Sequence, residues 1–373
     1  MIENKPVVAV LGGGNGGFCA AADLTLRGFE TRLWEFPEFL YTIEPIINAG
    51  GIALRGVAGE GFARPASVST DIEATLDGAQ LVLVIVPADA HKLIARTCAP
   101  FLTSDHTILL MPGCCGGALE FYNDSRASGA PSGILIAETT SLIYAVKKEI
   151  GNSVWARGLK KNLPLAAFPA VHTNRVLQQV SQVYDQFKPA LNVLETSFHN
   201  LNHIVHPPGM LANLGYIEGT YQQDWHYYRD GYTPGTARLA EEMDNERLAI
   251  VRAFNLPEVS VHDTLRGYYS YQGLRGETLY EMFSTSPVHA PALGPKTTHH
   301  RMLTEDVPYG LVPLASFADI VDIPTPVMNA VISTASVINN TDYQQTGRTV
   351  ENLGLGGMSP GEIQQYVTHG PNI

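Results

Sequence analysis

The chain has 373 residues, 45% of them hydrophobic and 16% charged, which is typical of a globular protein. Because a single core rarely organises this length, we expect two domains. The net charge of −12 argues against nucleic acid or an anionic membrane surface as a partner, since both bind basic surfaces. Neither a signal peptide nor a membrane span is visible in the sequence, so we expect a cytoplasmic protein.

A glycine-rich turn follows the first apolar run of the chain. Residues 7–11 are all apolar, residues 12–17 read Gly-Gly-Gly-Asn-Gly-Gly, and an alanine-rich segment and a second strand, residues 31–34, come next. A G-x-G-x-x-G turn between a strand and a helix is typical of dinucleotide-binding sites. Its first glycine allows a tight turn, its second lets the backbone approach a pyrophosphate, and its third lets the helix pack closely. The amides at the helix N-terminus then hold the diphosphate.

Glu35 ends the second strand at the distance from the glycines, about 20 residues, where an acidic residue accepts hydrogen bonds from the adenosine ribose of NAD. The alternative is an ordinary solvated carboxylate at a strand end. Arg32 could neutralise the 2′-phosphate of NADP, but its place inside the strand favours an orientation toward solvent or a neighbouring helix. We therefore expect NAD(H) as the cofactor, with NADP(H) left open.

Further apolar runs at residues 81–86, 107–111 and 134–140 predict buried strands of a parallel sheet. Ligands bind at the carboxyl ends of such strands, so the loop that begins with Pro87 is expected to face the cofactor, as is the loop at residues 112–117. The predicted cofactor-binding residues are Gly12, Gly14, Asn15, Gly16, Gly17, Glu35 and Pro87.

The pattern becomes mainly helical beyond about residue 190, as in the amphipathic segment 237–254. We therefore predict an α/β protein. An N-terminal Rossmann domain with a doubly wound parallel sheet occupies residues 1–190, and a mainly α-helical C-terminal domain occupies residues 191–373. Apolar faces on the predicted helices could build a homodimer.

His199, His203 and His206 are four and three residues apart, and on one helix they would share a face. A metal site could begin in this way, but no set of carboxylates accompanies them, so a polar cleft wall is the simpler interpretation and no metal is predicted. The four cysteines lack C-x-x-C spacing, which predicts neither a zinc site nor a disulfide framework. His206 precedes Pro207, which is expected to end the helix and leave the imidazole beside irregular backbone, a position favoured for catalysis.

A second polar cluster, residues 297–306, precedes an apolar segment. A solvated loop explains this cluster as well as a functional site does. A dehydrogenase needs a group that exchanges a proton while hydride moves, and imidazole is suited to this near neutral pH. Because a carboxylate fixes the imidazole tautomer, His206 and Asp306 form a plausible catalytic pair.

Motifs in both halves of the chain resemble those of the opine dehydrogenases, most like the bacterial N-(1-carboxyethyl)-norvaline dehydrogenase type and less like octopine dehydrogenase. The motifs, in chain order, are the glycine turn at 12–17, Pro112-Gly113 with residues 116–120, Glu138-Thr139, Asn202 with His206-Pro207, Gly294-Pro295, residues 305–307, residues 310–313 and Gly347-Arg348-Thr349. Their order along nearly the whole chain makes the resemblance more specific than the glycine turn alone.

The resemblance implies a Rossmann domain joined to a helical domain, with the active site in the cleft between them. Members of the family condense an amino acid with an α-keto acid, usually pyruvate, and reduce the resulting imine with a nicotinamide cofactor. The catalytic histidine of the family falls on His206 and its partner aspartate on Asp306. Arg301 matches an arginine suited to a substrate carboxylate, and Asn202 matches a residue near the same cleft.

Two features depart from the expected family pattern: the additional histidines His199 and His203, and the aromatic stretch at residues 221–228. The stretch could line a distinct side-chain pocket, so the amino acid substrate stays open. Two other functions also stay open. One is a two-domain reductase of a 2-keto acid or keto-phosphate that needs no amine, and the other is a non-catalytic protein that senses NAD.

Overall fold

The computed structural model describes residues 5–219 and 224–371, which divide into two compact units. The first unit comprises residues up to 113, residues 117–193 and the residues from 368 onward, and the second comprises residues 114–116 and 194–367. The division into domains 1–190 and 191–373 stays a prediction. Within the described residues, no helix combines the length and the apolar character needed to span a lipid bilayer.

All strands of the described residues lie in the first unit. They are β1 (Val8–Leu11), β2 (Thr31–Trp34), β3 (Ile52–Gly56), β4 (Gly61–Ala63), β5 (Ser67–Ser69), β6 (Leu81–Val84), β7 (Thr107–Leu110), β8 (Leu135–Thr139), β9 (Tyr144–Lys148), β10 (Ser153–Leu159), β11 (Leu163–Phe168) and β12 (Phe187–Pro189). The helices of this unit are α1 (Asn15–Leu26), α2 (Glu44–Ala49), α3 (Ile72–Leu76), α4 (His91–Cys98), α5 (Gly117–Ala127) and α6 (Thr173–Val180).

The main sheet has the strand order β12-β11-β8-β7-β6-β1-β2-β5. Its six strands from β5 to β8 are all parallel, which confirms the predicted Rossmann fold. Strands β1, β6, β7 and β8 are buried throughout, and this explains their uninterrupted apolar sequences. The sheet then departs from the predicted all-parallel pattern, because β11 pairs antiparallel with β8.

A second, four-stranded sheet with the order β4-β3-β10-β9 was not predicted from the sequence. Its strands are short or alternate between buried and partly exposed residues, as β10 does along its whole length. Such strands do not give the continuous apolar runs by which the buried strands of the main sheet were found. This sheet supplies Lys148, the last residue of β9, to the glycine turn described below.

The second unit is helical, as predicted. Its helices are α7 (Val193–Phe198), which begins at the boundary between the units, α8 (Asn202–Leu211), α9 (Leu214–Ile217), α10 (Pro234–Ala253), α11 (Val261–Tyr269), α12 (Leu279–Thr285), α13 (Arg301–Thr304), α14 (Val312–Ile320), α15 (Pro326–Ile338), α16 (Tyr343–Thr346) and α17 (Pro360–His369). A π-helical turn, Val307–Leu311, joins α13 to α14.

Helix α10 is central to the second unit because it carries buried charges that bind neighbouring elements. Arg247 is fully buried, pairs with Asp244 at 2.6 Å, and donates to the carbonyl oxygens of Phe198 and Val259. The carboxylate of Glu246 accepts hydrogen bonds from the first backbone N–H groups of α15. Buried charges need partners of this kind, so α10 fixes the ends of α7, α11 and α15.

Candidate active site

The glycine turn between β1 and α1 contains glycines at which the protein itself leaves no room for a side chain. Gly12 has φ +118°, and a Cβ there would lie 2.4 Å from the carbonyl oxygen of Ile85. A Cβ on Gly17 would lie 1.7 Å from the carbonyl oxygen of Gly12. A Cβ on Gly16 would also contact a neighbour too closely, at 2.6 Å from a methyl group of Ile85. These side chains are absent because strand, turn and helix pack directly against one another.

Gly14 is different, because a Cβ there would meet no protein atom within 4 Å. Its φ of −80° is accessible to any residue, so neither packing nor backbone conformation requires glycine. Gly14 is the N-cap of the twelve-residue helix α1, whose first turn holds no acidic residue. The open space therefore lies at a helix N-terminus with uncompensated N–H groups, which fits the diphosphate of a dinucleotide.

Glu35 follows β2 and binds the glycine turn. Its carboxylate accepts hydrogen bonds from the backbone N–H of Gly13 at 2.7 Å and from that of Phe36 at 2.9 Å. The residue is only 8% exposed, which contradicts the alternative of a solvated carboxylate. Arg32 donates instead to the carbonyl oxygens of Ala74 and Asp77 at the end of α3, as its expected orientation toward a helix predicts. In this position Arg32 is committed to α3.

Lys148 is a basic residue at the glycine turn that the sequence analysis missed. Its Nζ lies 3.2 Å from the carbonyl oxygen of Gly13 and 3.0 Å from that of Thr42. Its backbone N–H donates to the Oδ1 of Asn15, so the Asn15 side chain is tied to β9. Burial lowers the pKa of Lys148, and the nearby charge of Glu35 opposes this. No sequence signal marks Lys148, because the second sheet brings it to the turn. Pro87, by contrast, is exposed and lies three residues beyond the end of β6, and its contact with the cofactor stays a prediction.

In the second unit, helix α8 carries His206 in its interior. The helix runs through Pro207 and Pro208 to Leu211, so the expectation that Pro207 ends it is wrong. The hydroxyl groups of Tyr227 and Tyr232 donate to the carbonyl oxygens of His206 and Val205, the two residues that precede the prolines. The expected shared helix face of the three histidines is also wrong, because His199 lies beyond the end of α7, in a break before α8.

His206 and Asp306 are in direct contact, as the sequence analysis proposed. The Nδ1 of His206 lies 2.7 Å from the Oδ2 of Asp306. The imidazole is 14% exposed, whereas the carboxylate is 1% exposed. Burial alone would raise the pKa of Asp306, but the adjacent His206, assisted by the charge of Arg301, outweighs burial and lowers it. The aspartate is therefore ionised at neutral pH and accepts the N–H of the imidazole.

The other ring nitrogen of His206, Nε2, lies 3.0 Å from the hydroxyl of Tyr228. Tyr228 belongs to the aromatic stretch that departs from the family pattern. Residues 221–223 of that stretch lie outside the described residues. Trp225, Tyr227 and Tyr228 are buried and pack against one another. The sequence drew attention to these residues but gave no role to Tyr228.

The predicted substrate-binding residues lie near the His206–Asp306 pair in sequence: Asn202 shares α8 with His206, and Arg301 begins α13, which ends two residues before Asp306. Asn202 begins α8, four residues before His206, so both side chains lie on the same side of the helix. Arg301 begins α13, and its Nε donates to Glu305 at 2.7 Å. Its side chain is 49% exposed, and its terminal amino groups make no hydrogen bond within the described part of the chain. This arrangement leaves two parallel donors for an external carboxylate.

His203 lies on α8 one turn before His206 and is completely buried. Its ring lies against the backbone of Gly310 in the π-helical turn, where a Cβ would be 2.3 Å from Nδ1. Burial lowers the pKa of His203 to about 4, although the charge of Asp306 acts in the opposite direction. His203 is therefore neutral at physiological pH. Within residues 5–219 and 224–371, no group of three or more potential metal ligands is arranged to hold an ion.

Comparisons with known proteins identify both halves of the chain. Residues 189–339 match the α-helical domain of NAD/NADP octopine/nopaline dehydrogenases, and residues 7–120 match the N-terminus of NAD-dependent glycerol-3-phosphate dehydrogenases. Opine dehydrogenase of Arthrobacter sp. (strain 1C) is 36% identical over 368 residues, which cover 98% of this chain and 100% of the relative. The chain belongs to the opine dehydrogenase family. Vitopine synthase of Allorhizobium ampelinum is 29% identical over 95% of this chain and 97% of its own.

Solved structures of octopine dehydrogenase share the fold. The complex with NADH and agmatine has a TM-score of 0.76 at 19% identity, and the complex with NADH and L-arginine has a TM-score of 0.74 at 20% identity. Each comparison covers 99% of both chains. As an opine dehydrogenase family member, the protein is an NAD(P)-dependent oxidoreductase that acts on CH–NH donors. NAD(H) is the favoured cofactor, and NADP(H) stays the alternative.

Two substitutions in the glycine turn, compared with each other, test whether the open space at Gly14 binds the diphosphate. Gly14→Ala should leave the unfolding midpoint within about 2 °C of wild type, because its Cβ meets no protein atom. It should weaken NADH binding about tenfold or more, since the methyl group occupies space assigned to the diphosphate. Gly17→Ala should lower both stability and affinity, because its Cβ overlaps the Gly12 carbonyl. Thermal unfolding and NADH fluorescence titration measure both effects. Wild-type NADH affinity in Gly14→Ala would contradict the assignment of this space.

We predict that the lowered pKa of His203 makes the stability of the protein depend on pH. Its pKa is about 4 in the folded protein against 6.5 as a reference, so the unfolded chain binds more protons between these values. Stability should therefore fall as the pH falls from 6.5 to 4, by about 3 kcal/mol from this residue. Chemical denaturation of wild type and His203→Leu across this range isolates the effect. The difference between the two unfolding free energies should change with pH, and parallel curves would refute the buried neutral imidazole.

Proposed function

We propose that this enzyme catalyses the NADH-dependent reductive condensation of an α-amino acid with an α-keto acid, and the reverse oxidation. Pyruvate is the expected keto acid. Support comes from the 36% identical opine dehydrogenase and from octopine dehydrogenase structures solved with NADH and L-arginine or with NADH and pyruvate. The observation that carries the proposal is the 2.7 Å contact between the His206 imidazole and the buried carboxylate of Asp306.

His206 is the proposed catalytic acid and base. Condensation requires removal of a proton from the ammonium group of the amino acid, so that the amine can attack the keto carbon. A proton must then return to the hydroxyl group that leaves as water. Imidazole can perform both transfers near neutral pH. Asp306 holds Nδ1–H, directs Nε2 toward the exchange, and stabilises the imidazolium that forms.

Arg301 and Asn202 are the proposed substrate-binding residues. Both substrates carry a carboxylate, and the terminal amino groups of Arg301 form a planar fork that matches it. Glu305 accepts a hydrogen bond from the Nε of this side chain, so the fork is held in one orientation. Asn202 offers an amide on the same side of α8 as His206, where it can bind a polar group of the substrate.

The residues proposed to hold the cofactor are those of the glycine turn, with Glu35 and Pro87. Gly14 leaves the space for the diphosphate, and the N–H groups of Asn15, Gly16 and Gly17 lie at the N-terminus of α1. Glu35 keeps further lone pairs beside its bond to Gly13 and can accept from ribose hydroxyls. The reduced nicotinamide supplies the hydride that converts the iminium carbon into that of a secondary amine.

Three further proposals concern the localisation, the oligomeric state and the domain boundaries of the protein. We place it in the cytoplasm, because all four cysteines are buried free thiols, as expected in a reducing compartment. We retain a homodimer, because the helical unit exposes large apolar side chains such as Val337 on α15. We also retain 1–190 and 191–373 as the domains.

The NAD-sensor alternative is abandoned because the family consists of oxidoreductases.

The proposed reaction is tested by NADH oxidation, followed by absorbance, with pyruvate and each common amino acid in turn. NADH should be consumed when a particular amino acid accompanies pyruvate, because the hydride acceptor is the imine that the two form together. Pyruvate alone and each amino acid alone are the controls. Full activity with pyruvate alone would replace this proposal with the simple 2-keto-acid reductase.

The catalytic pair is tested by His206→Ala and Asp306→Asn. Each should lower kcat by about a hundredfold or more, because a positioned acid and base is removed or loses its charged partner. NADH affinity, measured by fluorescence titration, should stay within about twofold of wild type, since neither side chain belongs to the first unit. His226→Ala is a matched control, because His226 forms a more exposed pair with Asp230 on the same unit. Undiminished turnover in His206→Ala would overturn the assignment.

A further inference from the structure

Three tyrosines surround the turn of α8 that holds His206, and they bind it differently. Tyr227 and Tyr232 donate to backbone carbonyl oxygens, those of His206 and Val205. The hydroxyl of Tyr228 lies instead 3.0 Å from Nε2 of the reactive side chain. The first two contacts support the backbone of the helix. The third occupies the ring nitrogen through which His206 must exchange protons, because Nδ1 is bound to Asp306.

The ionised carboxylate of Asp306 fixes the direction of these hydrogen bonds. A carboxylate only accepts, so Nδ1 of the neutral imidazole carries the proton and Nε2 carries a lone pair. The hydroxyl of Tyr228 therefore donates to Nε2. When the imidazole becomes charged, Nε2–H donates and the phenol oxygen accepts. The same contact thus serves both protonation states of His206, which is what a proton relay requires.

The ring of Tyr228 is held in this position by aromatic neighbours. Its centroid lies 4.7 Å from that of Phe283, 4.9 Å from that of Tyr227 and 5.1 Å from that of His289. The residue is 9% exposed. Swinging the phenol away from Nε2 would break several of these ring contacts. A proton therefore reaches Nε2 more readily through the hydroxyl than by displacing it.

We propose that Tyr228 is a further catalytic residue, whose hydroxyl contacts the substrate and relays protons between it and Nε2 of His206. This inference rests on the proposed function. In the first transfer, the ammonium group gives a proton to the phenol oxygen while the phenol proton moves to Nε2. The amine becomes nucleophilic, the imidazole becomes imidazolium, and Tyr228 stays neutral. The transfer thus avoids a phenolate in this buried position.

Between the two transfers, the amine lone pair forms the C–N bond, the C=O π pair moves to oxygen, and one N–H proton passes to that oxygen, which gives the neutral carbinolamine. The second transfer reverses the first. Nε2–H gives its proton to the phenol oxygen while the phenol proton moves to the hydroxyl of the carbinolamine. The C–O bond breaks, water leaves, and the lone pair of nitrogen forms the iminium bond. One proton is taken and one is returned, so Tyr228 and His206 end as they began. Two protons move together in each transfer.

Tyr228→Phe removes the hydroxyl and keeps the ring, and Tyr227→Phe and Tyr232→Phe are matched controls that remove a hydroxyl from the same turn. The measurement is the single-turnover rate of NADH oxidation with keto acid and amino acid, in mixtures of H2O and D2O. Tyr228→Phe should lower this rate about tenfold to a hundredfold. Tyr227→Phe and Tyr232→Phe remove support for the backbone of α8, so any slowing in these variants should come with a lower unfolding temperature and should keep the deuterium dependence of wild type. NADH affinity should be unchanged in all three.

The dependence of rate on deuterium content distinguishes a relay from a packing role. A curved dependence is expected for wild type, in which two protons move, and a linear one for Tyr228→Phe. The double variant Tyr228→Phe with His206→Ala should be no slower than His206→Ala, because both residues serve one transfer. A linear wild-type dependence, an unchanged Tyr228→Phe rate, or multiplicative losses in the double variant would each overturn the relay. Oxidation of NADH by keto acid alone would refute the proposed condensation, and the relay would then be tested on that reaction.

Discussion

The candidate site depends on one buried charge, the carboxylate of Asp306. Burying a carboxylate is costly unless its neighbours compensate, and here His206 donates to one oxygen while Arg301 adds a nearby positive charge. The position of the carboxylate depends in turn on the π-helical turn that it precedes. That turn can approach α8 because Gly310 leaves room for the ring of His203. The π-turn, Gly310 and both histidines therefore form one packing arrangement around a single charge.

The glycines in the turn of the first unit meet two different requirements, close packing of the protein backbone and space for the proposed ligand. Gly12 and Gly17 are required by the protein, because strand and helix backbones occupy the space of their side chains. Gly14 has no such requirement, which supports the proposal that its missing side chain leaves room for the diphosphate. Both polar backbone groups of Gly13 in this turn are bound: Glu35 accepts its N–H, and Lys148 donates to its carbonyl oxygen. The open space is thus bounded by a turn that cannot easily change shape.

The features that could be predicted from the sequence are those that local sequence determines. The parallel strands and the glycine turn were visible because full burial gives unbroken apolar runs and because backbone contact demands glycine. The continuation of α8 through Pro207 and Pro208 was not visible, since that turn is bound by hydroxyl groups of residues 21 and 27 positions further along the chain. Lys148 and the second sheet were also missed, because contacts between residues far apart in the sequence place them and the local sequence does not reveal these contacts. The pairing of His206 with Asp306 was predicted from chemistry and family resemblance, not from local pattern.

The described part of the aromatic stretch, together with Tyr232, has a different role from the one expected from the sequence. From the sequence, it could line a pocket for the substrate side chain. Tyr227 and Tyr232 are instead fully buried, and their hydroxyl groups are used by carbonyl oxygens of α8. Tyr228 is held between Phe283 and His289 and directed at Nε2. These three rings pack around His206 and, apart from the proposed contact of the Tyr228 hydroxyl, offer little open surface to a substrate, so we do not expect them to select the amino acid side chain.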